Sequence, residues 1–274
     1  MPHAYTEDQL VEQPAIGLFA ELGWTAVSAL EETFGATGTL LRETKGEVVL
    51  VSRLRAALER LNPALPPEAI AAAVDELTRD RSAMSLEAAN REVYLLLKEG
   101  IRVSVADSEP SPQPSPKWRG SGASTPHPGP LPGRGGEGVR SKGGGQKTER
   151  VRVVDWEHPA NNDFLLASQF SVTGALYTCR PDLVGFINGL PLVVIELKKP
   201  GVPARAAFDE NLTHYKAEIP QLFWFNALLI ASNGTDSRVG SLTADWERFS
   251  FCAMSASVCT PRVCSRVSAI SSGR

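Results

Sequence analysis

The chain has 274 residues, with 28 Lys and Arg against 31 Asp and Glu, which gives a formal net charge of −3. This near balance excludes proteins that bind nucleic acid through bulk positive charge. A hydrophobic fraction of 42% and a charged fraction of 22% exclude disorder along the whole chain. With no long apolar run and no signal-like N terminus, we expect a cytoplasmic protein without a membrane segment. The four cysteines form no C-x-x-C pair, and we predict neither a metal finger nor a disulfide framework.

Residues 1–106 have the pattern of a helical segment. Apolar residues recur every three or four positions in three stretches, with proline starts and glycine stops at their boundaries. These stretches are residues 46–61, 68–80 and 85–100. The opening segment has a similar apolar stripe, which Pro14 must interrupt or kink. The stripe consists of Leu10, Ile16, Leu18, Phe19 and Leu22.

Residues 107–148 form a low-complexity segment with 8 Pro, 10 Gly and 6 Ser. Such a composition buries no core, so we expect a disordered insert that lies outside the fold. Short alternating runs flank it, IRVSV at 101–105 and RVRVVDW at 150–156. These runs are typical of two strands of one hairpin, and the insert would then lie at the hairpin tip.

Residues 149–249 have the pattern of an α/β fold. The order is a strand, a hairpin, a helix and a second strand. The tail, residues 250–274, has no Asp or Glu and no clear hydrophobic period, and we predict that it is aberrant and unstructured.

The stretch LVVIELKKP carries the most informative chemistry. Its residues are apolar on both faces until Glu196 and Lys198, which project from the same face because strand side chains alternate. A carboxylate and an ammonium at the end of a buried strand must pair or bind something. A simple salt bridge at the sheet edge is the structural alternative to a functional site.

The register of the hairpin decides whether Asp182 joins this pair. A strict two-residue loop at Asn188-Gly189 would place Asp182 opposite Ile195, with its carboxylate on the face opposite Glu196. A three-residue loop would instead bring the two carboxylates to one face. We therefore predict an odd-length loop or a β-bulge.

Two neighbouring carboxylates repel each other unless a divalent cation neutralises them, and oxygen ligands suit Mg²⁺. A lysine beside that cation orients water or stabilises charge on a phosphate. The constellation indicates phosphodiester hydrolysis.

The order Asp182, then Glu196-Leu197-Lys198, resembles the PD-(D/E)xK nuclease signature. The surrounding sequence, including RPDLVGFINGLPLVVIELKKP and SNGTDSRVGSLTADWERF, is similar to the N-terminal nuclease domain of type I restriction enzyme R subunits. The resemblance covers roughly residues 4–105 and 149–249. It implies a restriction-endonuclease-like α/β core, a mixed β-sheet flanked by helices, with an extra helical segment near the N terminus. It also implies Mg²⁺ and cleavage of double-stranded DNA, coupled to ATP-driven translocation in a complex with modification and specificity subunits.

By this resemblance Asp182 and Glu196 would bind the metal, the Leu197 carbonyl would be a further ligand, and Lys198 would be the catalytic lysine. Glu12, in the opening helix, matches the place of an additional acid, although the following Pro14 departs from the pattern. The alternative for Glu12 is a solvated helix face.

The family also has a Gln-x-x-x-Tyr motif that supports nuclease function, and Asn211 and Tyr215 match it here. Their spacing places both on one helical face. Asn keeps the amide but is one methylene shorter, so a contact to DNA or to the site would weaken. Tyr215 is equally compatible with a plain core position.

R subunits of this kind also carry helicase-like motor domains with a Gly-x-x-x-x-Gly-Lys-Ser/Thr phosphate loop. The nearest string, GGGQKTE at 143–149, lacks the glycine before lysine, so we predict no ATP site in this chain. The expectation is a truncated R-subunit fragment, with a frameshift near residue 250.

Three hypotheses for function follow. The first is the Mg²⁺-dependent endonuclease domain of a type I restriction system, and the second is a stand-alone repair or resolvase-like nuclease on the same core. The third is a catalytically idle remnant.

Overall fold

A computed structural model describes residues 6–106 and 146–252 of the chain. The helices are α1 (Gln13–Glu21), α2 (Val51–Leu61), α3 (Pro67–Thr78), α4 (Leu86–Glu99), α5 (Thr213–Glu218) and α6 (Pro220–Phe223). The strands are β1 (Thr25–Ser28), β2 (Ile101–Ala106), β3 (Gln146–Val151), β4 (Phe164–Ser168), β5 (Val172–Thr173), β6 (Thr178–Cys179), β7 (Leu183–Ile187), β8 (Leu190–Leu197), β9 (Leu228–Ser232), β10 (Ser237–Gly240) and β11 (Ser250–Phe251). None of the helices in these two ranges is long and apolar enough to span a membrane.

Seven strands form one mixed sheet in the order β1-β4-β7-β8-β9-β10-β11. The β1–β4 and β8–β9 pairs are parallel, and the other neighbours are antiparallel. The central strand β8 is buried at all eight positions, as expected for a strand covered on both faces. The predicted α/β class and the mixed sheet flanked by helices are confirmed.

The extra helical segment near the N terminus is also confirmed, as α2, α3 and α4. Each helix buries one apolar side. Ser85 begins α4 by accepting a hydrogen bond from the Ala88 N–H, and Gly100 ends it with a φ of +77°. This side of the molecule packs into the same core as the sheet.

The hairpin predicted around the insert is present, because β2 and β3 pair antiparallel from Ile101↔Val151 to Ala106↔Gln146. Residues 146–148, which the sequence assigns to the insert, are therefore strand residues. Residues 107–145 lie outside the described part of the chain. The predicted tail divides in the same way, since Ser250–Phe251 pairs with β10 whereas 253–274 lie outside the described residues.

Pro14 does not break the opening helix. The preceding turn, Asp8–Glu12, is a π-helix in which the Gln13 N–H donates to the Asp8 carbonyl, and α1 continues directly from it. A π turn accommodates the missing proline N–H. The widened turn also changes the buried face, which carries Val11, Glu12, Ala15 and Phe19. The predicted stripe is therefore wrong at its start, where Leu10 is 39% exposed.

The Asn188-Gly189 turn docks the β7–β8 hairpin against α2. The Leu50 N–H donates to the Gly189 carbonyl at 2.9 Å, at the residue that precedes α2. Asn188 is fully buried, and its amide donates to the Val153 carbonyl at 2.9 Å and to Asn162 at 2.8 Å. The turn is therefore a fixed end of the hairpin that carries the candidate site.

We expect Gly189→Ala to lower the free energy of unfolding by about 2–4 kcal/mol. The residue has a φ of +79°, and a Cβ there would lie 2.6 Å from the Leu50 carbonyl oxygen and 2.7 Å from the Leu54 nitrogen. Gly201→Ala is the matched control, because Gly201 has a φ of +92° and a Cβ added there would have no atom within 4 Å. That control should cost only about 1 kcal/mol. Equal losses for the two variants in urea unfolding would contradict the close contact.

Candidate active site

The register of the β7–β8 hairpin brings Asp182 to Glu196. The turn has two residues, since Ile187 pairs with Leu190, but the register shifts by a bulge between Gly185 and Phe186. Beyond the bulge Leu183 pairs with Ile195, so Asp182 and Glu196 are the next opposed pair. The predicted bulge is confirmed, and the two carboxylates belong to one face of the sheet.

Neighbouring residues explain why the bulge occurs here. The extra residue in β8 is Leu192, whose carbonyl accepts a hydrogen bond from the Ala227 N–H at 2.8 Å. On the facing strand Gly185 leaves room for Trp24, because a Cβ at Gly185 would lie 3.0 Å from the Trp24 ring. The carbonyl of the extra residue is therefore hydrogen-bonded, and the facing strand is packed closely against Trp24.

Both carboxyl groups have a pKa above the ordinary value. Burial raises the pKa of Glu196 well above its usual range, and the negative charge of Asp182 raises it further. Burial also raises the pKa of Asp182, although a hydrogen bond of 2.8 Å from the Leu197 N–H to Oδ2 opposes the shift. The pair is thus costly in its ionised form without a neutralising partner.

A chain of side-chain hydrogen bonds connects Lys198 with Glu196. Lys198 Nζ donates to Asn211 Oδ1 at 2.6 Å, and Asn211 Nδ2 donates to the Tyr215 hydroxyl at 3.2 Å. The Tyr215 hydroxyl lies 3.4 Å from Glu196 Oε1, and Tyr215 is 7% exposed. Burial and the charge of Glu196 raise the pKa of Tyr215. The predicted Asn-x-x-x-Tyr pair therefore supports the lysine and the glutamate together.

Lys198 also forms an ion pair of 3.9 Å with Glu210. Its positive charge partly offsets the rise in the pKa of both Glu196 and Asp182. The simple Glu196–Lys198 salt bridge considered from the sequence is replaced by the contacts of Lys198 with Asn211 and Glu210.

Glu12 is buried rather than on a solvated helix face, and Gln169 links it to Asp182. Its side chain is buried, and burial raises its pKa, which the charge of Asp182 also raises. Gln169 Nε2 donates to Glu12 Oε2 at 2.9 Å. Gln169 was missed by sequence reasoning, because it follows β4 without any motif, and its only sequence signal is a polar residue after an apolar strand.

The donor set fits a hard divalent cation. Glu196 Oε2 is buried and has no hydrogen-bond partner, which leaves a carboxylate oxygen available as a ligand next to Asp182. Within residues 6–106 and 146–252, no three His, Cys, Asp or Glu side chains form a ready metal cluster. A cation bound by two carboxylates would complete its shell with backbone carbonyls and water, as Mg²⁺ commonly does. The Leu197 carbonyl stays a predicted ligand.

Comparison with known proteins shows which family the chain resembles. Residues 4–114 and 134–248 match the family model described as type I restriction enzyme R protein N terminus. The type I restriction enzyme HindI endonuclease subunit of Haemophilus influenzae is 34% identical over 248 residues, which are 87% of this chain and 19% of that protein. The type I restriction enzyme SsaAORF53P endonuclease subunit of Staphylococcus saprophyticus is 40% identical over 88 residues, 32% of this chain and 9% of that protein.

A third relative is the type I restriction enzyme EcoprrI endonuclease subunit of Escherichia coli. It is 33% identical over 108 residues, which are 38% of this chain and 34% of that protein. The chain thus spans about a fifth of the length of the Haemophilus relative.

Proposed function

The chain belongs to the family of type I restriction enzyme R protein N termini, and we propose that it is a Mg²⁺-dependent DNA endonuclease domain of the PD-(D/E)xK class. The observation that carries the proposal is the bulged hairpin, which opposes Asp182 to Glu196 and leaves Glu196 Oε2 buried without a hydrogen bond. The relatives described above are restriction endonuclease subunits, which favours this hypothesis over a repair or resolvase-like nuclease.

Asp182, Glu196 and the Leu197 carbonyl would hold the cation, which supplies charge neutralisation for the phosphate and acidifies a bound water. Lys198 is held by Asn211 Oδ1, so its ammonium is positioned to stabilise negative charge that develops on a phosphodiester. The Tyr215 hydroxyl lies 3.4 Å from both Glu196 Oε1 and the Arg180 carbonyl, and it would help to orient Glu196. Glu12, which Gln169 links to Asp182, would contact the water shell of the cation.

The proposed substrate is double-stranded DNA, and the proposed partners are the modification and specificity subunits of a restriction complex. The net charge of −3 fits a domain that receives DNA from such partners rather than one that binds it by bulk charge. ATP is expected to act through motor domains of the complete system and not through this chain.

The direct test is calorimetric titration of Mn²⁺ into the purified chain. We expect saturable binding, and we expect Asp182→Asn to weaken it at least about tenfold, because the variant removes one of two charged ligands. Asp75→Asn is the matched control, since Asp75 is exposed on α3 and has no contact with the site residues. That variant should bind like the wild type.

Absence of saturable Mn²⁺ binding by the wild type would contradict the proposal. Binding that is equally strong in Asp182→Asn would place the cation elsewhere. A chain that binds Mn²⁺ through Asp182 but cuts no plasmid DNA, alone or with partner subunits, would identify the idle remnant instead.

A further inference from the structure

Gln169 stands out among the residues around the site because of its backbone. It follows the last residue of β4 and has a φ of +57°, in the left-handed region. For a non-glycine residue this conformation costs about 1–2 kcal/mol. The described non-glycine residues with positive φ are Leu41, Gln169 and Asn188, and of these only asparagine is a type that tolerates the region. Such strain persists where the surrounding contacts require it.

The contacts of Gln169 connect the two sides of the site. Its backbone N–H donates to the Asp182 carbonyl at 2.7 Å. Its side-chain Nε2 donates to Glu12 Oε2 at 2.9 Å. Burial raises the pKa of Asp182, and the nearby Gln169 amide opposes that rise. One residue therefore contacts an acid of the hairpin and the acid of the opening helix.

The position of Glu12 depends on this link. Glu12 lies in the π turn that precedes α1. Burial raises its pKa most, and the negative charges of Asp182, Asp8 and Glu7 raise it further. Repulsion of Asp182 by Glu12 and Glu7 favours movement of the opening helix away from the hairpin. Gln169 opposes that movement, because its side-chain amide binds Glu12 while its backbone N–H binds the Asp182 carbonyl.

We propose that Gln169 is a positioning residue, whose amide holds Glu12 beside Asp182 so that the opening helix completes the cation site. This inference rests on the proposed metal site. Gln169 acts through Glu12 and is not itself a ligand. The strained backbone is the structural cost of directing the amide to this place.

The test is a double-mutant cycle with Mn²⁺ affinity as the readout. Gln169→Gly removes the amide while it suits the positive φ, so the fold is expected to survive. We expect Gln169→Gly and Glu12→Gln each to weaken Mn²⁺ binding about tenfold, and the double variant to be no weaker than either single one. Gln13→Ala is the matched control, because Gln13 donates to an acid of the same helix, Asp8, at an exposed position.

Hydrogen exchange of the metal-free protein gives a second readout. In Gln169→Gly the amides of residues 8–21 should exchange faster, whereas those of β7 and β8 should not change. Additive effects in the cycle, or unchanged affinity and exchange in Gln169→Gly, would overturn the proposal. If the wild type binds no Mn²⁺, the proposed function is contradicted, and so is the role of Gln169 in a cation site. Hydrogen exchange then shows separately whether Gln169 holds the opening helix against the hairpin.

Discussion

Glu196→Gln is expected to stabilise the metal-free protein and to abolish its response to metal. The glutamate is 2% exposed, its Oε2 has no hydrogen-bond partner, and Asp182 is its neighbour. A neutral amide of the same shape removes a buried charge, so the free energy of unfolding in EDTA should rise by about 1–3 kcal/mol near neutral pH. Saturating Mn²⁺ should stabilise the wild type by about 3 kcal/mol at a hundredfold excess over Kd, and the variant not at all.

The pH dependence of the free energy of unfolding is an independent test that Glu196 is a buried carboxyl. A carboxyl whose pKa is higher in the folded than in the unfolded state binds its proton more tightly when folded. The wild type in EDTA should therefore lose stability as the pH rises from the ordinary glutamate value of 4.5 toward the raised folded pKa of Glu196. Glu196→Gln should flatten this slope in urea unfolding above about pH 5, where an unfolded glutamate has lost its proton.

Glu59→Gln is the control for both measurements, because Glu59 is exposed on α2. It should leave the slope and the Mn²⁺ effect unchanged. A Glu196→Gln protein that is less stable than the wild type in EDTA, or that is still stabilised by Mn²⁺, would show that Glu196 is not the buried ligand described here.

Lys198→Met is expected to lower the rate of plasmid cleavage by a factor of about 10²–10³. This is the range for loss of one preorganised group that stabilises charge in the transition state. Methionine keeps the length and the apolar stem of the side chain but removes the ammonium. Mn²⁺ affinity should be unchanged or slightly higher, because a positive charge is removed from the neighbourhood of two carboxylates.

The matched control is Lys199→Met, the next residue, which is exposed and outside the contacts of the site. Its cleavage rate should stay within about twofold of the wild type, since exposed lysines contribute little. Equal losses for the two variants would point to general electrostatic attraction of DNA rather than to a catalytic lysine. A parallel loss of Mn²⁺ binding in Lys198→Met would indicate a collapsed site.

The hairpin illustrates what the sequence could predict. Alternation in β8 places Glu196 and Lys198 on one face, and the spacing from Asp182 to Glu196 requires an odd-length loop or a bulge if the carboxylates are to meet. Local pattern and turn chemistry suffice for this conclusion. They do not distinguish the loop from the bulge, because the choice depends on Gly185 packing against Trp24 and on the hydrogen bond from Ala227, which are contacts between distant parts of the chain.

The opening helix and Gln169 mark the limit of that reasoning. Helical periodicity assumes a regular turn, so the π turn before Pro14 shifted the buried face from Leu10 to Val11 and Glu12. Gln169 has no periodicity at all, and its role depends on a positive φ and on partners at positions 12 and 182. The short strand β1 is mostly exposed and lacks the alternation that indicates a strand.

The uncharged run Leu192–Ile195, which lies between Pro191 and Glu196 in the buried centre of the sheet, has a consequence before folding is complete. Short apolar windows of high β-propensity aggregate when they are exposed, and natural chains place charges at their ends to limit this. Glu196, Lys198 and Lys199 directly follow the run. We therefore expect these charges also to limit aggregation during synthesis, so that neutralising them lowers the soluble yield as well as the catalytic activity.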